Sequence, residues 1–256
     1  MIENRKNTVL FNYQFTLDAP AIAGLVRLTT SVSRRRCSPD LSMNTMPEFP
    51  AAAVDRLWSV AECLAVQGWS VTESSLPAEV LGGLEHDCRS LWADEALKPA
   101  AVGRAGVQQV MPEIRGDYIR WLDDCPPTEA SAAYLKAMDL LRDTLNRALF
   151  LGLDSYETHY ALYPPGAGYQ KHIDRFKDSP LRTVSVVLYL NSRWQPGDGG
   201  ELRLHLPEGV RDVEPRAGTL AVFMSDRIVH EVLQAHRERA SLVGWFRRRP
   251  DNPLLR

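Results

Sequence analysis

The chain has 256 residues, 45% of them hydrophobic, and its 30 basic and 32 acidic residues leave a formal charge of -2. This is the composition of a globular chain long enough for one domain with a sizeable core. The balanced charge argues against nucleic acid as a partner, because a nucleic-acid-binding surface carries a positive excess. No uninterrupted apolar run approaches the ~20 residues that a membrane span needs, so we expect no membrane partner.

The cysteines and the N-terminal region bear on compartment and domain boundaries. None of the four cysteines forms a Cys-x-x-Cys pair, which gives no support to a zinc ribbon or a redox motif. Unpaired thiols are typical of a reducing compartment, so we expect a cytoplasmic protein and take it to be a monomer. Residues 1–50 lack clear periodicity and end in a stretch rich in Pro, Ser, Asn and Asp. We expect them to form a poorly ordered extension or linker, and the domain to occupy 51–256.

Helical patterns come first along the chain. Apolar residues recur at helical spacing over 51–66, and a short strand is expected at 69–72. A second helix is predicted over about 77–97, with Ser75 as a candidate cap. A third is predicted over 128–151, where we read the apolar stripe as packing rather than function.

From residue 157 short runs of β-branched and aromatic residues alternate with turns. The predicted strands are 157–163, 168–172, 182–191, 200–205, 210–214, 218–224, 229–234 and 240–247. Helices followed by many short strands predict an α+β fold in which helices back an antiparallel sheet or barrel.

Three residues in the strand-rich half form a candidate metal site. On a strand, residues two apart point to the same face, so His172 and Asp174 can converge on one ion. His230 opens another predicted strand and supplies a second imidazole. Two imidazoles and one carboxylate with open positions are the facial triad of non-haem Fe(II) oxygenases. A lone His-x-Asp pair also arises by chance, so the site needs further support.

That support comes from Arg239, which shares a strand face with Ser241. Arginine binds a carboxylate through two parallel hydrogen bonds, and the distal carboxylate of 2-oxoglutarate needs such an anchor. Arg239 alone would be read as a surface charge in a basic run. Together with His172, Asp174 and His230 it indicates a 2-oxoglutarate site.

Several blocks, in order along residues 52–249, resemble a known family. They are IRGDYIRW at 114–121, YPPGAGYQKHID at 163–174, LYLN at 188–191, GGELR at 199–203 and SDRIVHEV at 225–232. The chain is similar to the prolyl 4-hydroxylase type of Fe(II)/2-oxoglutarate-dependent dioxygenases. Within that type it resembles most the oxygen-sensing hydroxylases of hypoxia-inducible factor and their bacterial relatives.

The resemblance implies a double-stranded β-helix, or jelly-roll, over about 157–249, supported by helices over about 51–151. It implies Fe(II) on His172, Asp174 and His230, with 2-oxoglutarate and O2 as co-substrates and ascorbate as a reductant. The residues implied around 2-oxoglutarate are Arg239, Tyr189, Tyr163 and Ser241. Those implied on the substrate side are Arg115, Asp117 and Trp245.

The implied reaction is hydroxylation of a prolyl residue in an intracellular protein, with release of succinate and CO2. One alternative is a 2-oxoglutarate dioxygenase that acts on a free amino acid or another small molecule. A second is a catalytically silent jelly-roll that only binds. His159 occupies a position where the oxygen-sensing enzymes carry an apolar residue. It either changes the polarity of the pocket or faces solvent from its strand.

Overall fold

The computed structural model describes residues 51–103, 109–175 and 181–249. The predicted extension over 1–50 lies outside these residues. Within them, helices come first and strands follow. The helices are α1 (Ala51–Gln67), α2 (Ala78–Ala93) and α3 (Glu129–Leu149). The strands are β1 (Trp69–Thr72), β2 (Lys98–Pro99), β3 (Tyr118–Trp121), β4 (Leu153–Tyr163), β5 (Tyr169–His172), β6 (Arg182–Tyr189), β7 (Leu202–Leu206), β8 (Gly209–Val213), β9 (Leu220–Met224), β10 (Val229–Val232) and β11 (Arg239–Arg248).

The three predicted helices are present, with corrections to α2. The side chain of Thr128 accepts the backbone N–H of Ser131 and so caps α3. The expected cap of α2 is wrong, because the hydroxyl of Ser75 donates to the carbonyl of Gly218 instead. The predicted end at residue 97 is also wrong. Glu95 takes a left-handed conformation (φ 53°), which ends the helix at Ala93.

The predicted strands agree with the structure to within two residues at each end, except at β4. That strand begins at Leu153 rather than at residue 157, because its polar first half pairs along β11 as far as Arg248. Short strands β2 and β3 were not among the predicted runs. No helix among the described residues is long and apolar enough to cross a membrane.

The strands form two antiparallel sheets, which confirms the α+β class and the jelly-roll core. The larger sheet has the order β1-β9-β6-β11-β4-β3-β2, and the smaller has the order β5-β10-β7-β8. Alternate residues of the large sheet serve two cores. In β4, Tyr160 and Leu162 belong to the core that includes the helices, whereas Ala161 and Tyr163 belong to the core shared with the small sheet. The candidate site lies on this second face.

Strand register determines the order of side chains on the inner face. Arg239 of β11 is opposite Tyr163, and Ser241 is opposite Ala161 and Tyr189. Two residues further on, Val243 is opposite His159 and Val187, and Trp245 is opposite Glu157 and Ser185. Every second residue of β11 therefore faces the inner core, with Arg239 at one end of the row and Trp245 towards the other.

Gly244 provides a test of packing on the opposite face of β11. A Cβ added there would lie 2.4 Å from the hydroxyl of Tyr156, which is itself 2.6 Å from the hydroxyl of Tyr134. We expect Gly244→Ala to lower the free energy of unfolding by about 1–3 kcal/mol, because the hydrogen-bonded tyrosine pair has to move. Urea denaturation checks this. Gly82→Ala in α2 is the control, since nothing lies within 4 Å of its added Cβ, and it should be neutral or stabilising. Equal stability of Gly244→Ala and the parent would contradict the expectation.

Candidate active site

The side chains of His172, Asp174 and His230 come together near the β5 edge of the smaller sheet. Each offers one ligand atom, and these atoms lie within 4.8 Å of one another. The Nε2 atom of His172 is 3.7 Å from Oδ1 of Asp174, and that of His230 is 3.6 Å from Oδ2. His230 of β10 is directly opposite His172 of β5 in the ladder, which brings the two imidazoles together. The donor set suits a divalent transition metal.

Hydrogen bonds orient both imidazoles for metal binding. The Nδ1 atom of His172 lies 2.7 Å from the carbonyl of Gln170, and that of His230 lies 3.1 Å from the carbonyl of Ile228. A carbonyl can only accept, so each Nδ1 carries the proton and each Nε2 presents a lone pair. The ring of Tyr169 stacks on His172 with centroids 3.7 Å apart, which further restricts that ring.

The protonation states also fit a metal. Burial, assisted by the charge of His230, lowers the pKa of His172 to about 4. For Asp174, burial alone would raise the pKa. The charges of His230 and His172 and the hydrogen bond from Ser185 outweigh it, so the pKa lies below its usual value. At neutral pH the site therefore offers a neutral imidazole beside an ionised carboxylate, which are the forms that bind metal.

Asp174 does not lie on the strand of His172, so the prediction that places both on one strand face is wrong. Strand β5 ends at His172, and Asp174 lies in a bend beyond it. Strand periodicity therefore does not aim this carboxylate at the imidazoles. Its Oδ2 instead accepts a 2.7 Å hydrogen bond from the hydroxyl of Ser185 on β6.

A cavity of about 170 Å³ opens beside the triad. It is larger than the apolar crevice of about 30 Å³ between α1 and α3. The triad lines the larger cavity together with five other predicted site residues. These are Arg115, Asp117, Tyr163, Arg239 and Trp245. Tyr189 and Ser241 are buried next to Arg239 rather than on the cavity wall.

Arg239 is 1% exposed, so the surface-charge alternative is wrong. Its Nε donates to the carbonyl of Gly200 at 2.8 Å, and no carboxylate of the described residues pairs with it. The guanidinium carbon lies 4.9 Å from the ring centre of Tyr163 and 5.0 Å from that of Tyr189. The hydroxyl of Tyr189 is buried and has no hydrogen-bond partner among the described residues. A buried cation beside an unpartnered hydroxyl is the environment that an anion completes.

The predicted substrate-side residues also line the cavity. Arg115 binds Asp117 through two hydrogen bonds of 2.7 and 2.9 Å, and Asp117 is buried. The guanidinium of Arg182 lies 3.5 Å from the ring centre of Trp245. The Nε1 atom of Trp245 is buried and has no partner at hydrogen-bonding geometry within the part of the chain that the structure describes. The indole nevertheless helps to lower the pKa of Asp174.

Comparison with known proteins agrees with this geometry. Residues 158–247 match the model of the 2OG-Fe(II) oxygenase superfamily. A prolyl-4-hydroxylase from Pseudomonas putida, known from its crystal structure, is 50% identical with a TM-score of 0.68. The match covers 76% of this chain and all of that one. The chain belongs to the prolyl 4-hydroxylase family of 2OG-Fe(II) oxygenases.

More distant members of the prolyl 4-hydroxylase family are also similar. A Trichoplax adhaerens prolyl hydroxylase, solved with a peptide of hypoxia-inducible factor, is 27% identical with a TM-score of 0.71 and covers 79% of this chain and 94% of that one. The hypoxia-inducible factor prolyl hydroxylase of Caenorhabditis elegans is 27% identical over 70% of this chain. The chain spans only 26% of that relative's length.

Several residues of the prolyl 4-hydroxylase site were missed in the sequence. Tyr169, Ser185 and Arg182 contact the triad or line the cavity, but none carries a signal beyond being a polar residue in a strand pattern. His159 was left open, and it is 1% exposed. It lines the cavity between Trp121 and Trp245, with ring centroids 5.0 and 5.6 Å away. The solvent-facing alternative for His159 is therefore wrong.

His159 makes folding sensitive to acid. Burial lowers its pKa to about 4, against an ordinary value of 6.5. Below pH 6.5 His159 becomes protonated in the unfolded chain, whereas in the folded chain it stays neutral until the pH nears 4. The free energy of unfolding therefore falls in that window. Between pH 7.5 and pH 5, this difference in pKa should lower the free energy of unfolding by about 2 kcal/mol. We expect His159→Gln to lose that much less stability on acidification, as measured by urea unfolding at both pH values. Equal acid losses in both proteins would contradict the expectation.

Proposed function

We propose that this chain is an Fe(II)- and 2-oxoglutarate-dependent dioxygenase that hydroxylates a prolyl residue in an intracellular protein, with release of succinate and CO2. One observation carries the proposal. The His172, Asp174 and His230 cluster opens on the same cavity as Arg239, which pairs with no carboxylate of the described residues. A metal site alone fits many reactions, whereas a metal site with a buried arginine at its far end fits a 2-oxo acid that carries a second carboxylate.

The metal fits the residues present. His172, Asp174 and His230 would hold Fe(II), which when bound supplies the oxygen-activating chemistry that no side chain can perform. The contribution of the chain is to fix the donors. The carbonyls of Gln170 and Ile228 hold the imidazole tautomers, and Ser185 holds the carboxylate.

At the distal end, Arg239 would bind the second carboxylate of 2-oxoglutarate. Its Nε is occupied by the carbonyl of Gly200, so the remaining N–H groups are the ones directed to the ligand. Tyr189 would donate its unpartnered hydroxyl to the same carboxylate. Ser241 lies 3.4 Å from Nη1 and steadies the guanidinium, while Tyr163 packs against it. Burial of this end excludes water and strengthens each of these interactions.

Arg115, Asp117 and Trp245 line the same cavity and would shape the channel for the substrate. The Arg115–Asp117 pair is a rigid, mutually neutralised wall rather than a free charge. Trp245 and His159 also line the cavity, and their rings would bound the space for an uncharged pyrrolidine ring. These surfaces would direct one substrate C–H bond towards the metal and keep others away.

The structure gives no specific observation in favour of either alternative. A free amino acid would need separate partners for its ammonium and carboxylate, yet the carboxylate of Asp117 is already bound by Arg115. A silent binding module would have no need of an intact donor set beside an unpaired buried arginine. The prolyl hydroxylases of Pseudomonas and Trichoplax among the relatives point the same way.

The test has two stages. Anaerobic addition of Fe(II) and then 2-oxoglutarate should give a weak visible charge-transfer band, and its absence would contradict the cofactor assignment. Mass spectrometry of host-cell proteins with and without the enzyme should then reveal a proline that has gained one oxygen atom. A band without any modified proline, but with turnover of a small molecule, would favour the free-substrate alternative.

Some properties follow from this proposal only as predictions. We propose a cytoplasmic location, because Cys63, Cys88 and Cys125 are free thiols, as expected in a reducing compartment. We also propose ascorbate as a reductant, a monomeric state and no nucleic-acid partner. The division into a 1–50 extension and a 51–256 domain stays a prediction.

A further inference from the structure

The position of Asp174 is not set by the strand that carries its partner ligand. Strand β5 ends at His172, and the backbone from Ile173 onward leaves the ladder. His172 and His230 are fixed directly by pairing of β5 with β10. Strand pairing does not fix a carboxylate in a bend, so other contacts have to hold it if the three donors are to stay together.

A chain of two serines reaches this carboxylate from the large sheet. The hydroxyl of Ser185 donates to Oδ2 of Asp174 at 2.7 Å, and it lies 2.8 Å from the hydroxyl of Ser225. Both serines are buried, with 1% and 0% of their surface exposed. An ionised carboxylate only accepts, so the one hydrogen of Ser185 is committed to Asp174, and Ser225 must be the donor to Ser185. The direction of the chain is therefore fixed.

The backbone of Ser225 holds the same bend. Its carbonyl accepts the N–H of Arg175 at 3.1 Å, and its own N–H donates to the carbonyl of Thr183 at 3.0 Å. Arg175 also pairs with Asp226 at 2.6 Å. Ser225 directly follows β9, and Ser185 lies in β6, two paired strands of the large sheet. The bend that carries Asp174 is thus attached to the opposite sheet by three separate contacts.

We propose that Ser185 and Ser225 are positioning residues that hold the Asp174 carboxylate in its metal-binding orientation before a metal arrives. This inference rests on the proposed function, because it takes Asp174 to be a ligand. Ser185 restrains one carboxylate oxygen, and Ser225 restrains Ser185. Loss of a group that orients a metal ligand typically costs 10–100-fold in metal affinity.

The experiment uses Co(II) as a spectroscopic probe of the full metal-free chain. We expect Ser185→Ala to raise the dissociation constant for Co(II) by about 10–100-fold and to change the visible Co(II) spectrum. Ser225→Ala should raise it by about two- to fivefold, since it removes one neutral hydrogen bond further from the metal. Ser185→Thr keeps the hydroxyl and should restore binding to near the parent value.

The control is Ser70→Ala, which removes a buried serine from β1 at the edge of the same sheet. Loss of stability alone would affect Ser70→Ala and Ser185→Ala alike without changing the Co(II) spectrum. Unchanged Co(II) affinity and spectrum in both Ser185→Ala and Ser225→Ala would overturn the proposal while leaving the proposed function intact. A parent chain that binds no Co(II) would instead overturn the proposed function itself.

Discussion

Replacing Asp174 with alanine is expected to reduce iron-dependent succinate production to background. The carboxylate is the single anionic donor among the three grouped residues, and it neutralises part of the charge of a divalent cation. Because loss of a residue that merely orients a ligand costs 10–100-fold in affinity or activity, loss of a ligand should cost at least about 100-fold. Succinate release from 2-oxoglutarate under saturating Fe(II) measures this, and metal binding to the purified variant measures it independently.

The matched control is Asp212→Ala. Asp212 is a surface aspartate of β8 held by Arg203 through two hydrogen bonds of 2.7 Å, far along the small sheet from the triad. Its loss should leave 2-oxoglutarate turnover unchanged. Undiminished turnover in Asp174→Ala would remove the central claim about the metal site. Loss of turnover with full retention of metal binding would assign Asp174 a role other than that of a ligand.

The inner face of the site could be read from the sequence because strands impose a period of two. Arg239 and Ser241 were placed on one face from spacing alone, and they do lie on one face of β11. The same rule failed for Asp174, because the chain leaves the ladder after His172 and Asp174 lies in a bend. Pairing of β5 with β10 extends only from Tyr169 to His172. No property of residues 169–174 encodes that limit.

Contacts between distant strands explain what the sequence could not predict. Ser185 reaches Asp174 only because β6 of one sheet faces the end of β5 in the other. The burial of His159 depends on Trp121 and Trp245, which lie on different strands on either side of it. The end of α2, by contrast, depends on local backbone conformation. Glu95 adopts a left-handed conformation, which its residue type does not suggest. The resemblance to a family implied the jelly-roll core and the ligand set, but it did not supply these contacts.

Replacing Arg239 with alanine is expected to raise the Michaelis constant for 2-oxoglutarate on the order of 100-fold, with a smaller effect on turnover at saturation. Removal of one partner from a buried, hydrogen-bonded charge pair costs roughly 2–5 kcal/mol, and each 1.4 kcal/mol is tenfold. The Michaelis constant of Arg239→Lys should lie between those of Arg239→Ala and the parent, because lysine keeps the charge but cannot form two parallel hydrogen bonds to a carboxylate. Initial rates of succinate formation across 2-oxoglutarate concentrations give the measurement.

Two comparisons decide whether Arg239 acts through the distal carboxylate. Arg237→Ala is the control, since this neighbouring arginine is half exposed and pairs with Asp198 at 3.2 Å; its Michaelis constant should not change. In the parent, a 2-oxo acid of similar length without a distal carboxylate should be a far poorer co-substrate than 2-oxoglutarate. In Arg239→Ala the preference for 2-oxoglutarate should largely disappear, because the buried cation that binds the second carboxylate is absent. A preference that persists would place the anchor for that carboxylate elsewhere in the cavity.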